Sequence, residues 1–322
     1  KKKKISIKEK KKKSSIGFYF GCSGDLNIPL NIIKNLNNNK LMKDYTIYIF
    51  VGPYAKNRNK LFKFQNKNLV NIKVIKNSLN ISDHFSHLDL LISSAGLSIF
   101  ECSLYNIITV LFELVDNQKV NQSCLEKLGN YFLLKKNDLS NPKKISKFII
   151  TIIENKERIK RLFNKKKIVL DDKGSERIAE EILMNKKIYK KEKKLDENVK
   201  NLNKKYKIEK VGDHHINDYL SISNKKVNRK FSLSKNKINK IDHYNWWFNN
   251  KRESYIFKKG SKKIILFFHE KINIMKKDFI FPGWYVIDEK INFLEILKGI
   301  YYQYKMLSSS KNLNLTQIGV IS

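Results

Sequence analysis

Over the first 185 residues, short apolar runs alternate with segments whose apolar positions recur at helical spacing. "SSIGFYFGCSG" (14–24) reads as a buried strand closed by a glycine turn, and "NIPLNIIKNL" as the helix that follows. The alternation continues through the strands "YTIYIFVG", "NIKVIKN", "LLISSAG", "ITVLFEL" and "YFLLK". Between them lie the helical segments "ISDHFSHLD", "LSIFECSLYN" and "NQKVNQSCLEKLG". The helices "NPKKISKFIITIIENKERIKRLFNKK" and "KGSERIAEEILMN" close the region near Asn185. This order predicts a parallel sheet covered by helices on both faces, a three-layer α/β domain over 14–185.

The pattern then breaks. Residues 186–210 are highly charged with few apolar positions, which predicts a solvated linker or an exposed helix. From 211 to 322 the reading is two helices, three consecutive strands ("ESYIFKKG", "KKIILFFHEKI", "FIFPGWYVID") and a helix, "NFLEILKGIYYQYKML". Strands joined by tight turns indicate an antiparallel meander, so the second domain is of the α+β class.

Charge alters this picture less than its size suggests. Lys and Arg number 66 against 30 acidic residues, a formal net charge of +36, which on its face points to nucleic acid or an anionic membrane. The excess is nearly all lysine, spread along the chain beside abundant Asn and Ile. That is the mark of compositional bias at tolerant surface positions, and lysine is the poorer residue for bidentate phosphate recognition. No specific nucleic-acid partner is expected. Cys22, Cys102 and Cys124 have neither paired spacing nor an even count, which excludes a disulfide framework and fits a reducing cytoplasm. No apolar run is long enough to span a membrane, and the basic leader "KKKKISIKEKKKK" (1–13) has no signal-peptide core. Both chain ends read as truncated: no Met begins the chain, and the final "LTQIGVIS" resembles a strand cut short.

In an open parallel sheet, ligands sit beyond the carboxyl ends of the strands. Two glycine turns fall at such ends, Gly21–Gly24 and Ser93–Ser98. A small-residue turn entering a helix offers backbone N–H groups to a phosphate without any lysine, and Glu101 one turn further on could accept hydrogen bonds from ribose hydroxyls. Close helix-to-strand packing, with Glu101 a solvated first-turn acid, accounts for the same residues equally well.

"SAGLSIFECSLYNIITVLFELVDNQKVNQSCLEKLG" resembles the nucleotide-binding signature in the C-terminal half of two-domain glycosyltransferase-B (GT-B) enzymes of glycosyltransferase family 28. Within that group it is most similar to the UDP-sugar hydrolases of pseudaminic acid biosynthesis, which release 2,4-diacetamido-2,4,6-trideoxy-altrose from UDP. The matching positions are Gly96, Ser98, Glu101, Asn117 and Gln118, and "IGFYFGCSGDLN" adds Gly21 and Asn27. Cys22 stands where the family has a second glycine, and Gly24 where an Asp is usual.

The resemblance implies a Rossmann-like domain that binds a UDP-sugar through Gly21, Asn27, Ser94, Ala95, Gly96, Leu97, Ser98, Glu101, Asn117 and Gln118. Uracil and ribose would lie near Glu101, pyrophosphate near Gly96–Ser98, and the sugar near Asn117 and Gln118. It also implies a facing N-terminal domain, which in the hydrolases carries a histidine-bearing glycine loop that activates water. No counterpart of that loop stands upstream of Ser14. Sugar transfer from a UDP donor and non-catalytic binding of a nucleotide sugar or nucleic acid are the alternatives, and the catalytic residues stay unassigned.

The remaining candidates read as structural. His84 and His87, three residues apart, lack a third metal ligand and suit a surface or a helix cap. Asp213, His214 and His215 could include a base, though a helix capped by Asp213 explains them more simply. Cys102 reads as a half-buried helix residue without a positioned base. In "HYNWWF", helical spacing puts Tyr244, Trp247 and Phe248 on one side, as core.

Through Arg229, Ser232, His243, Trp247 and the "GWYV" strand, the second domain resembles the N-terminal half of a GNAT-superfamily acetyltransferase. The span that would hold the acetyl-CoA pyrophosphate, "IDEKINFLEIL", has acidic residues and no glycine, which argues against acetyl transfer. No metal or other cofactor is expected.

Overall fold

A computed structural model describes residues 14–37, 39–65, 71–76, 81–171, 173–183, 206–232, 234–274, 277–288, 290–308 and 316–317. The chain divides into two compact units, Lys1–Lys186 and Lys187–Ser322.

The first unit holds six strands: β1 (Ser14–Tyr19), β2 (Tyr45–Val51), β3 (Asn71–Lys76), β4 (Leu90–Ser94), β5 (Ile108–Glu113) and β6 (Phe132–Lys135). All pair in parallel, in the order β3-β2-β1-β4-β5-β6. Burial explains the lengths of the apolar runs. Every residue of β4 is buried and β5 is buried up to Glu113, as expected of central strands covered on both faces, whereas β3 at the edge has no buried residue. This Rossmann-like sheet is the parallel sheet read from the sequence.

Its helices are α1 (Asn27–Leu36), α2 (Arg58–Gln65), α3 (Ser82–Phe85), α4 (Ser98–Leu104), α5 (Gln122–Lys127), α6 (Pro142–Glu154), α7 (Lys156–Phe163) and α8 (Gly174–Leu183). In α1, Pro29, Leu30, Ile32, Ile33 and Leu36 form one buried stripe, and Ser146 Oγ of α6 donates to the Ile32 carbonyl at 2.9 Å. The Asn141 side chain and Pro142 start α6.

Two helices differ from the sequence reading. The long helix expected from 141 to 166 breaks at Asn155 (φ −108°, ψ 20°), whose side-chain amide donates to the Thr151 carbonyl at 3.0 Å and competes with the next turn. The helix expected over "NQKVNQSCLEKLG" begins only at Gln122, after the Asn121 side chain caps it. Asp116–Gln118 forms a separate 3₁₀ turn.

The second unit contains β7 (Tyr206–Lys210), α9 (Ile216–Ser223), α10 (Lys226–Lys230), α11 (Lys240–Asn249), β8 (Glu253–Lys259), β9 (Lys262–Ile274), β10 (Lys277–Val286), α12 (Phe293–Ser308) and β11 (Thr316–Gln317). The sheet order is β11-β10-β9-β8-β7, antiparallel except for the parallel β10–β11 pair. β7 corrects the sequence reading: the last five residues of the stretch expected to be linker form an edge strand, because Ile208 and its neighbours pair with Tyr255–Lys259. Residues 186–205, the rest of that stretch, lie outside the described residues.

Gly260 makes the β8–β9 turn at φ +61°, a conformation that glycine adopts without strain. Phe257, Ile264, Ile265 and Phe267 form the core under α12. There Gly299 lets the helix approach the sheet, since a Cβ at that position would stand 2.5 Å from Ile265 Cδ1. Tyr244, Trp247 and Phe248 are buried as the helical spacing indicated. Three of the resemblance residues, Arg229, His243 and Trp247, are also buried, and Ser232 Oγ donates to the Asn228 carbonyl at 2.6 Å.

Candidate functional site

The strand order places the site. From β1 the chain steps outward through β2 and β3, then returns to lay β4 on the other flank of β1. Neighbouring strands β1 and β4 therefore send their following loops apart, and the crevice beyond their carboxyl ends is the topological switch point. Both glycine turns singled out in the sequence leave these two strands, and Tyr19 is in register with Ser93.

The first turn bends at Gly21 (φ +85°), and a Cβ there would lie 4.0 Å from Ser94 Oγ at the end of β4. Ala95 N–H donates to the Phe112 carbonyl of β5 at 2.9 Å, and Gly96 N–H to the Ser94 carbonyl at 2.8 Å. Around Gly96 there is open space, with no atom within 4 Å of where a Cβ would stand. Ser93 and Ser98 hydroxyls lie 3.4 Å apart across the turn.

α4 has seven residues, and the small-residue turn before it opens onto the crevice. Ser94 and Ala95 are buried, Gly21, Asn27, Gly96 and Ser98 half-buried, and Leu97 and Glu101 exposed. Glu101 adds to the field on the half-buried Tyr19 hydroxyl. That hydroxyl is pushed up mainly by burial, then by Cys22, to which it is hydrogen-bonded, and by Glu101. Tyr19, Cys22 and Glu101 thus converge over the crevice. Beside Glu101, Leu97, Phe100 and Leu104 give α4 an exposed apolar flank.

A buried polar chain fixes α4. Thr109 Oγ1 of β5 donates to Asn130 Oδ1, Asn130 Nδ2 to Ser103 Oγ at 2.9 Å, and Ser103 Oγ to the Ile99 carbonyl at 3.0 Å. Cys102 faces inward, completely buried, so its thiol is pushed far up by desolvation with Glu101 adding to the effect. The sequence placed it half-buried; the structure makes it core and chemically inert.

A third loop, after β2, escaped the sequence reading. Tyr54 N–H donates to the Cys22 carbonyl at 2.9 Å, Lys56 N–H to the Gly24 carbonyl at 3.0 Å, and Leu26 N–H to the Lys56 carbonyl at 3.2 Å. Asn57, at φ 63°, donates its side-chain amide to Asp25 Oδ1 at 2.8 Å. Gly52 permits this contact, because a Cβ there would fall 2.4 Å from the Cys22 carbonyl oxygen. The zipped loops bring Lys56, Arg58 and Lys60 beside the Gly21 turn, with Lys60 Nζ donating to Asn27 Oδ1 at 3.1 Å. The positive charge missing from both glycine turns arrives from this neighbour, and the signal for it was the Gly-Pro pair closing β2.

Asn117 and Gln118 sit past the end of β5, one strand from β4. Asn117 is exposed. Gln118 Oε1 accepts the Leu114 N–H at 3.1 Å and closes its own turn. His84 packs on Phe50 with ring centroids 5.8 Å apart, and His87 is exposed.

Residues 27–182 match the glycosyltransferase family 28 C-terminal domain. The match covers just under half of the chain; it begins after the Gly21 turn and takes in the β2 loop, the Ser93–Ser98 turn, Glu101, Asn117 and Gln118. Among solved structures, the catalytic domain of cholesterol-α-glucosyltransferase from Helicobacter pylori is 18% identical, over 48% of this chain and 95% of that one, with a TM-score of 0.35. MurG of Acinetobacter baumannii is 14% identical over 55% of this chain, with a TM-score of 0.41, and the match spans about half (51%) of MurG. A possible acetyltransferase from Clostridium difficile 630 is 9% identical over 36% of this chain and 80% of that one, with a TM-score of 0.30. No curated protein matches. Among the described residues, no helix is long and apolar enough to cross a membrane.

Proposed function

We propose that the first unit is the donor-binding half of an enzyme acting on a UDP-sugar. One observation carries the reading: the two glycine turns meet at the switch point between β1 and β4, and the second of them, Ser93–Ser98, lies inside the stretch that matches the family 28 domain. In this reading the backbone around Gly96 and Ser98 holds the pyrophosphate, with Gly21 leaving room and Lys56 and Lys60 supplying countercharge. Glu101 accepts hydrogen bonds from the ribose hydroxyls, and Asn117 and Gln118 meet the sugar. A facing domain completes the cleft and supplies the bond-breaking group.

The reaction proposed is hydrolysis of the UDP–sugar bond in nonulosonic acid biosynthesis, with transfer of the sugar to an acceptor as the alternative. The second unit is proposed as a GNAT-like domain without acetyl transfer. Its antiparallel meander ending in the parallel β10–β11 pair supports that assignment.

Isothermal titration with UDP tests donor binding. Saturable binding that weakens roughly ten- to a hundredfold in Glu101→Ala, the cost of losing hydrogen bonds to a charged group, is the expected result. Absence of UDP binding would overturn the proposal. RNA affinity that falls steeply with salt, again without UDP binding, would replace it with the nucleic-acid alternative.

A further inference from the structure

α12 lies on the second sheet by one face. Ile296, Ile300 and Met306 pack against the core cluster, Gly299 lies over Ile265, and Gln303 Nε2 donates to the Phe268 carbonyl at 2.9 Å. The opposite face of such a helix is ordinarily polar. Here it carries Phe293, Leu294, Leu297, Tyr301 and Tyr304, which are 68%, 61%, 43%, 61% and 58% exposed. At 3.6 residues per turn these positions fall within an arc of about 100°, so they form one continuous stripe along the helix rather than scattered apolar residues. We propose that this stripe seats the second unit on an anionic lipid bilayer, with α12 lying in the plane of the interface.

The charges of the helix identify the occupant. Lys298 and Lys305, both exposed, stand about 20–40° beyond Leu294 on one border of the stripe. From that border their ammonium groups stay at the depth of the lipid headgroups while the apolar side chains go deeper, and the two tyrosines keep their hydroxyls at the boundary. Glu295, the one acid in the helix, is turned away from the stripe. Its side chain is 18% exposed, and Lys259 Nζ lies 2.5 Å from its Oε1, so it does not oppose a negative surface. With 16 residues the helix is short of a membrane span, which leaves it to lie on the bilayer.

A second copy of the chain fits the stripe less well. The five side chains together expose on the order of 500 Å², against about 800 Å² that each partner of a stable dimer buries. Pairing two such helices antiparallel through Leu294, Leu297, Tyr301 and Tyr304 would set Lys298 and Lys305 against the same lysines of the other copy. Each chain also carries a formal net charge of +36, which repels a second copy and draws the chain to an anionic bilayer.

The test is cosedimentation of the full chain with vesicles of phosphatidylcholine and phosphatidylglycerol, at a salt concentration that screens long-range attraction. Binding to these vesicles is expected, at least tenfold tighter than to phosphatidylcholine alone. The double variant Leu297→Ser/Tyr301→Ser should weaken it at least tenfold, and Lys298→Gln/Lys305→Gln by about fivefold per lysine. Because Leu297 and Tyr301 are exposed, the serine variant should keep the circular dichroism of the unaltered chain, and it keeps the full charge. If it binds vesicles as the unaltered chain does, adsorption is by charge alone and the proposal falls. In Tyr301→Trp, brominated lipid should quench the introduced indole; absence of that quenching overturns the proposal, as does absence of vesicle binding. A dimer in analytical ultracentrifugation that the serine variant abolishes would give the stripe to a second copy instead.

Discussion

Replacing Gly96 by alanine separates the two accounts of the small-residue turn, helix packing and anion binding. A Cβ at Gly96 would have no atom within 4 Å, and the residue is not in the left-handed region, so the methyl group fits the folded chain without strain. The expected effect on stability is nil, or a gain of about 0.4–1 kcal/mol from the narrower unfolded ensemble. The same methyl group would fill the space that a phosphate needs to reach the backbone. Losing a charge-assisted hydrogen bond costs about 1.5–3 kcal/mol, and at about 1.4 kcal/mol per decade this weakens UDP binding roughly ten- to a hundredfold.

Gly52→Ala is the contrasting control. Its Cβ would fall 2.4–2.6 Å from the Cys22 backbone and force the zipped loops apart. Such overpacking costs about 1–3 kcal/mol, which for a domain of this size lowers Tm by several degrees. Calorimetry and UDP titration on both variants make the assay. If Gly96→Ala bound UDP as the unaltered chain does, the turn would be packing and the reasoning would fail. Loss of stability in Gly96→Ala would refute it equally.

Other outcomes follow from particular groups. Burial holds the His243 imidazole down at about 4 against its usual 6.5, while Nε2 donates to the Ile216 carbonyl at 2.8 Å. The unfolded chain therefore takes up the proton first: the stability from this group is complete above pH 6.5, declines as pH falls, and is gone near pH 4. That amounts to about 3 kcal/mol at most. All three tryptophans, Trp246, Trp247 and Trp284, lie in the second unit, so urea unfolding followed by tryptophan fluorescence reads it directly. His243→Gln should flatten the slope, and an unchanged slope would assign it to other groups. Iodoacetamide on the native chain should label the exposed Cys22 and Cys124 and spare Cys102, with UDP protecting Cys22 alone; mass spectrometry checks this. Asn130→Ala leaves Thr109 and Ser103 without their buried partner and should cost about 2–3 kcal/mol of stability by chemical denaturation; a loss below 0.5 kcal/mol would show the network to be idle.

Local pattern by itself determined the elements of this protein, because burial on one face or two imposes a period on any strand or helix regardless of what lies elsewhere. The runs through β1, β4 and β5 and the whole of α1 are legible for that reason, as are the two glycine turns, which end strands whatever the strand order. The buried side of α11 is legible in the same way. Tertiary structure alone decided what these pieces do together. Nothing local says that β4 returns to the flank of β1, yet that crossover turns two ordinary turns into one crevice. The β2 loop carries lysines to the Gly21 turn only because Gly52 lets two backbones touch. Asn130 reads as a loop residue until its amide is seen joining β5 to α4. Glu209, in a stretch that composition marks as solvated, meets His214 and His215 only once β7 has paired with β8, since strand pairing depends on a partner some fifty residues away and leaves no period of its own in five residues of which three are charged.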